Sequence, residues 1–311
     1  MMFSRWLTLV ASGPWQAGGW AALLGMLAVL SSALPLVPLA PLFFIGSGAV
    51  IVLTVLRQRI REAVQVIAIS ILATLLVGMA VGFGSVLMAV MLMGFWIPVF
   101  IAAIGVKASG LRQGLLLLML LMAVTLVLGS MQPVTLPGEF VGLLLEQVNQ
   151  QAAQPVAPEV EQAVRYWLVT YFWGWVSLSF GLMWMLALFT GRQWQGVLER
   201  PGAFATEFET LRFGAAFSVL TLVTALVGLF GANVMAQQLA AIGGFCLAVQ
   251  GLSCVQAILR ARDVNRVVRF VFYFLLLVYM LQLAVILSLV GLVDNVVNVR
   301  SMLAPKGGEQ A

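Results

Sequence analysis

Nine apolar runs, separated by short polar stretches, organise this chain. They fall at approximately 18–34, 39–56, 63–83, 86–106, 113–131, 166–190, 213–231, 235–258 and 269–292. Runs of about 17–25 apolar residues are long enough to cross a hydrocarbon core of roughly 30 Å as helices. Their uninterrupted apolar character favours helix over strand, because a lipid-embedded backbone must satisfy its own hydrogen bonds within the segment. The pattern therefore predicts an all-α protein, a polytopic transmembrane helix bundle of eight or nine spanning helices that forms one integral membrane domain over residues 1–311.

The polar stretches set the orientation. With the N-terminus in the cytoplasm, Arg5, Arg57, Arg59, Arg61, Lys107, Arg112, Arg192, Arg200, Arg212, Arg260, Arg262, Arg266 and Arg269 all lie inside, and only Arg165, Arg300 and Lys306 lie outside. That asymmetry matches the positive-inside rule and predicts a multi-pass protein of a bacterial cytoplasmic (inner) membrane. Nine spans with the C-terminus outside is the first reading. If an early segment is re-entrant, or the last folds back, the count becomes eight and the C-terminus moves inside. A secretory signal peptide is the other reading of residues 1–34, but the polar lead is long and no small-x-small cleavage site is clear, which favours a retained helix.

Composition narrows the chemistry. The chain is 62% hydrophobic and 9% charged, with a mean hydropathy of +1.08. A net charge of +5 would suit nucleic acid, yet the basic residues sit at helix ends, where topology explains them, so no nucleic-acid partner is expected. There is no histidine, and the two cysteines, Cys246 and Cys254, lie eight residues apart on one helix. That excludes Ser-His and Cys-His catalysis and argues against a zinc, haem or copper site. The threading puts no acid at mid-membrane, which counts against an ion-coupled carrier. No GxxxxGK[ST] loop supplies an ATPase. Neither an enzyme nor a cofactor is expected.

Features that remain admit both a functional and a packing reading. Pro35, Pro38 and Pro41 punctuate the outer turn between the first two segments and predict extended backbone there; this borders a solute site or is simply a rigid turn. Ala21, Gly25 and Ala28 form a small-residue stripe, suited to close helix packing within the chain or to a docking helix. Residues 132–165 form an extracytoplasmic amphipathic segment, with Phe140, Leu143, Leu144 and Val148 at helical spacing, read as a lid or a connector. Trp175 and Gln282 are deep aromatic and polar groups that could line a pocket. Residues 192–212 form a cytoplasmic interfacial loop in which Trp194, Phe204 and Phe208 stand among charges and Pro201-Gly202 breaks the middle.

That loop, WQGVLERPGAFATEFETLRFG, together with VGLVDNVVNVR near the end, resembles the YybS-like family of predicted bacterial membrane proteins. The similarity runs over most of the chain, with its most specific parts at residues 201–208 and 291–294. The family is similar to the substrate-binding S-components of energy-coupling-factor transporters, which have about six helices. The resemblance implies an S-component-like core, a membrane coupling protein docked at Ala21, Gly25 and Ala28, and a ligand cavity bordered by Pro35–Pro41 and residues 132–165. The function expected is a solute-binding or transport-associated protein without its own ATPase, embedded in the lipid bilayer and taking a small, uncharged solute. The alternative is a non-transporting scaffold that holds envelope or membrane-assembly partners through the 192–212 loop and the small-residue faces.

Overall fold

The computed structural model describes residues 2–33, 39–81, 85–151 and 157–300, and among them every regular element is helical. A short amphipathic helix, α1 (Met2–Val10), precedes α2 (Pro14–Ala33), α3 (Ala40–Arg57), α4 (Ile60–Val81), α5 (Ser85–Ser109) and α6 (Leu111–Ser130). Two helices, α7 (Thr135–Gln151) and α8 (Pro158–Thr170), lead to the long α9 (Phe172–Glu199). After the short α10 (Ala203–Glu209) come α11 (Ala215–Phe230), α12 (Val234–Ala261), α13 (Arg266–Val278) and α14 (Met280–Val297). Seven of the described helices, α3, α4, α5, α6, α9, α12 and α14, are long and apolar enough to cross a membrane. The chain is thus a multi-pass membrane protein. The first expected segment, as α2, falls outside that set, and the seventh, as α11, is shorter at 16 residues.

Helices α2 to α6 and α9 pack together as one group, and α12 joins α11 and α14 to it through contacts with α6 and α9. Lipid gives apolar helices no reason to associate, so close fit and interhelical hydrogen bonds hold such a bundle. The small-residue stripe on α2 supplies both. Ala21, Gly25 and Ala28 are buried inside the chain's own bundle, where a Cβ on Gly25 would meet Leu92 and Trp96. Ser47 Oγ on α3 donates to the Ala21 carbonyl at 2.7 Å and accepts from Trp96 Nε1 on α5 at 2.8 Å. Ser70 on α4 reaches the Gly18 carbonyl at 2.9 Å. The stripe is filled by α3, α4 and α5, so no docking helix reaches it as folded.

The last apolar run departs from the nine-segment threading. It breaks at Tyr279 into α13 and α14, and α14 runs parallel to α12. Ser288 donates to the Gly244 carbonyl at 3.0 Å, and Gln250 reaches Asp294 and Asn295 at 3.1 and 2.8 Å, so contacts advance along both helices in the same direction. Gly251 and Gly291 face one another across this crossing, where a Cβ on either would collide with backbone of the other helix. Only Tyr279, at φ −110° and ψ +38°, separates α13 from α14. The end of α14 lies on the face that carries α10, beside residues 209–214, and Arg300, placed outside by the nine-span reading, lies there with Arg212 and Arg260, which that reading placed inside.

Candidate functional site

The polar interactions of the described residues concentrate on that basic face. Its centre is the segment that follows α9. The first arm of the expected 192–212 loop is an extension of α9, which continues to Glu199. Pro201 and Gly202 then turn the chain, with Gly202 at φ +88°, a left-handed conformation that costs a side chain about 1 kcal/mol or more. This turn folds α10 back beneath the bundle. Phe208 is 4% exposed and meets Phe189 and Phe204 at ring-centroid distances of 5.4 and 5.9 Å. Both phenylalanines thus seat α10 against the chain's own α9.

Charged neighbours of Phe208 pin the segment in three directions. Glu207 Oε1 accepts from the Leu111 N–H at 2.7 Å, capping α6, and its Oε2 accepts from Arg192 Nε at 2.8 Å. A carboxylate there also meets the positive end of the helix dipole. Glu209 takes both of its oxygens to Arg260 Nη1 at 3.2 and 3.0 Å. Arg57 pairs with Glu199 at 3.0 Å. On the far edge, α1 is held by Trp6, whose ring lies edge-on to Trp20 and Trp194 at 5.5 and 5.4 Å.

The most deeply buried charge of the face is Asp294, 0% exposed. Arg300 Nη2 lies 3.2 Å from its Oδ2, and Gln250 Nε2 donates to the same oxygen at 3.1 Å. Arg212 sits 3.8 Å away and donates to the Asp294 and Asn295 carbonyls at 2.7 and 3.3 Å, the cation at a helix C-terminus that the dipole favours. Arg300 returns to the Glu209 and Leu211 carbonyls. Asn295 accepts from the Gly214 N–H at 2.9 Å and donates to Ser218 at 2.8 Å, while the Phe213 N–H reaches Gln250 at 2.9 Å. The segments around 209–214 and 294–300, far apart in sequence, are in this way one structure.

The residues considered for a solute site are dispersed. Pro35 and Pro38 lie outside the described residues, and Pro41 is an exposed residue in the first turn of α3, not in extended backbone. Trp175 is 52% exposed and Gln282 is exposed on α14; no hydrogen bond or ring contact joins them. Trp184, by contrast, is buried. An open cleft of about 880 Å³ lies between α7 and α8, lined by Glu139, Glu146, Glu161 and Arg165 among others. Within the described residues no group of three or more Cys, Asp or Glu is arranged to hold a metal ion. No family model, curated protein or solved structure matches the chain.

Sequence reasoning did not join the Asp294 cluster because its members are scattered: Gln250 reads as a deep polar group with an unknown partner, and Arg212, Asp294 and Arg300 each read alone as a helix end. A usable signal was present. An acid placed one turn before the end of an apolar helix needs partners once buried, and Arg300, six residues on, was the nearest arginine.

Proposed function

We propose that this protein is a non-enzymatic membrane component that works by holding a protein partner at its basic face. One observation carries this reading: the segment around Arg212 and the end of α14, some 80 residues apart in sequence, are tied together beside the exposed turns of α10 by buried Asp294 with Arg212 and Arg300. A connector between helices requires no such organisation, whereas a docking surface gains from being ordered before its partner arrives. The positive-inside rule supports placing this face in the cytoplasm and the chain in a bacterial inner membrane. We also propose kinship with the YybS-like family, on the residues quoted above.

A photo-crosslinking amino acid at Thr206, exposed on α10, tests the reading in intact membranes. A discrete protein adduct is expected from Thr206 and none from Val219, which is exposed on the apolar surface of α11. Lipid adducts alone at both positions would remove the reading.

A second reading, solute binding in the manner of an S-component, is favoured by the six-helix group α2–α6 with α9 and by the cleft on the opposite face. It predicts that one member of a panel of vitamins, nucleobases and amino acids raises Tm. A solute present at about a hundred times its Kd stabilises the fold by roughly 2.7 kcal/mol. The partner-binding reading predicts a flat panel.

A further inference from the structure

Arginines on the basic face divide into two kinds. Arg57, Arg192, Arg212, Arg260 and Arg300 are each paired with a carboxylate of the chain itself. Among the described residues Arg5, Arg59, Arg61, Arg112, Arg200, Arg262, Arg266 and Arg269 form no ion pair, and the last three fall within eight residues of one another at the elbow where α12 turns into α13. Asp263 is the one acid in this stretch and is itself exposed. The elbow is locally fixed. Asn265 caps α13 by accepting from the Val267 N–H at 3.1 Å, and Arg269 Nε donates to the Val264 carbonyl at 3.0 Å. That bond uses one guanidinium donor of Arg269 and leaves its two terminal nitrogens for another acceptor.

Directly above the elbow, α13 offers a surface that the bundle does not use. None of its residues is buried, and Val267, Phe270, Phe274 and Leu277 are all more than half exposed along its length. Thirteen residues make a helix of about 20 Å, shorter than a hydrocarbon core of roughly 30 Å. The helix thus places three arginines at one end and an apolar, aromatic strip beside them, over the length of an acyl chain.

We propose that the α12–α13 elbow is a binding site for an anionic phospholipid of the basic-side leaflet. Arg262, Arg266 and Arg269 take the phosphate headgroup, and one acyl chain lies along Phe270, Phe274 and Leu277. Charge complementarity selects the occupant: neighbouring cations without carboxylate partners, next to an apolar strip, fit an amphiphile with a negative head, and a zwitterionic lipid leaves the arginines uncompensated. The site adjoins α10 through the Arg260–Glu209 pair but does not depend on a protein partner.

Native mass spectrometry of the full chain in detergent, titrated with phosphatidylglycerol, phosphatidylcholine or inorganic phosphate, tests it. Phosphatidylglycerol is expected to be retained at least tenfold more strongly than phosphatidylcholine. A basic side chain near an anionic surface contributes about fivefold in affinity, so R262Q/R266Q/R269Q should weaken retention about a hundredfold and R266Q alone about fivefold; the single variant serves if the triple does not fold. R59Q/R61Q, on the same face but distant in sequence, should leave retention unchanged. Equal losses in R262Q/R266Q/R269Q and R59Q/R61Q would overturn the proposal in favour of diffuse attraction. Displacement of the lipid by millimolar phosphate would overturn the acyl-chain contact.

Discussion

Two carboxylates, Glu207 and Asp294, show how single residues secure the basic face. Glu207 serves two elements at once, as cap of α6 and as partner of Arg192. Its replacement by alanine leaves the first turn of α6 without that acceptor, at a cost of about 1–2 kcal/mol. Thermal unfolding of the purified E207A chain should show a lower Tm of corresponding size, and replacement of Glu146, exposed on α7, should not. Asp294 carries more, because it is fully buried between two guanidinium groups. Removing one member of a buried ion pair costs about 3–5 kcal/mol, since the remaining charge stays desolvated. D294N is therefore expected to destabilise strongly. The double variant D294N/R300Q should recover part of that loss in a double-mutant cycle, and strict additivity would show that the two residues do not interact.

At the scale of elements, the crossing of α12 and α14 decides the arrangement of the C-terminal third. Two glycines meet there, and neither tolerates a Cβ without displacing backbone of the other helix. G251A or G291A should separate the helices, disturb the nearby Gln250–Asp294 contact, and cost about 1–3 kcal/mol or more. Gly94 on α5 has open space where a Cβ would be, so G94A should be neutral or stabilising by up to about 1 kcal/mol through helix propensity. Limited proteolysis is a suitable readout, because only the first two changes should expose the end of α14. Proline and glycine mark α10 in the sequence, but its direction depends on Phe208 finding Phe189, a contact between positions with no shared periodicity.

For the whole molecule, the decisive feature is that both ends of the described chain lie on one face. Trp6 packs against Trp194, and Arg300 against the carbonyls of 209 and 211. An impermeant thiol reagent checks this on a background of two buried cysteines. Cysteines introduced at Ser4 and Thr210 should label from the same side, and one at Gln147 on α7 from the other. Labelling of Thr210→Cys and Gln147→Cys from one side would contradict the fold.

Most of the architecture was legible in the apolar periodicity, since a run long enough to cross a bilayer has few alternatives to a helix. Charge asymmetry likewise identified the basic face, because topology leaves its record in short loops. The small-residue stripe was visible too, but its occupant was not: a pattern that permits close approach does not say whether the approaching helix is foreign or the chain's own. The sequence of 269–292 looks like one span, and only the tertiary structure divides it at Tyr279, because the parallel packing of α14 on α12 outweighs the continuity of a single apolar helix. For the same reason the Asp294 cluster belongs to the fold alone. Local composition records what a segment can bury, whereas the pairing of distant charges depends on which helices become neighbours.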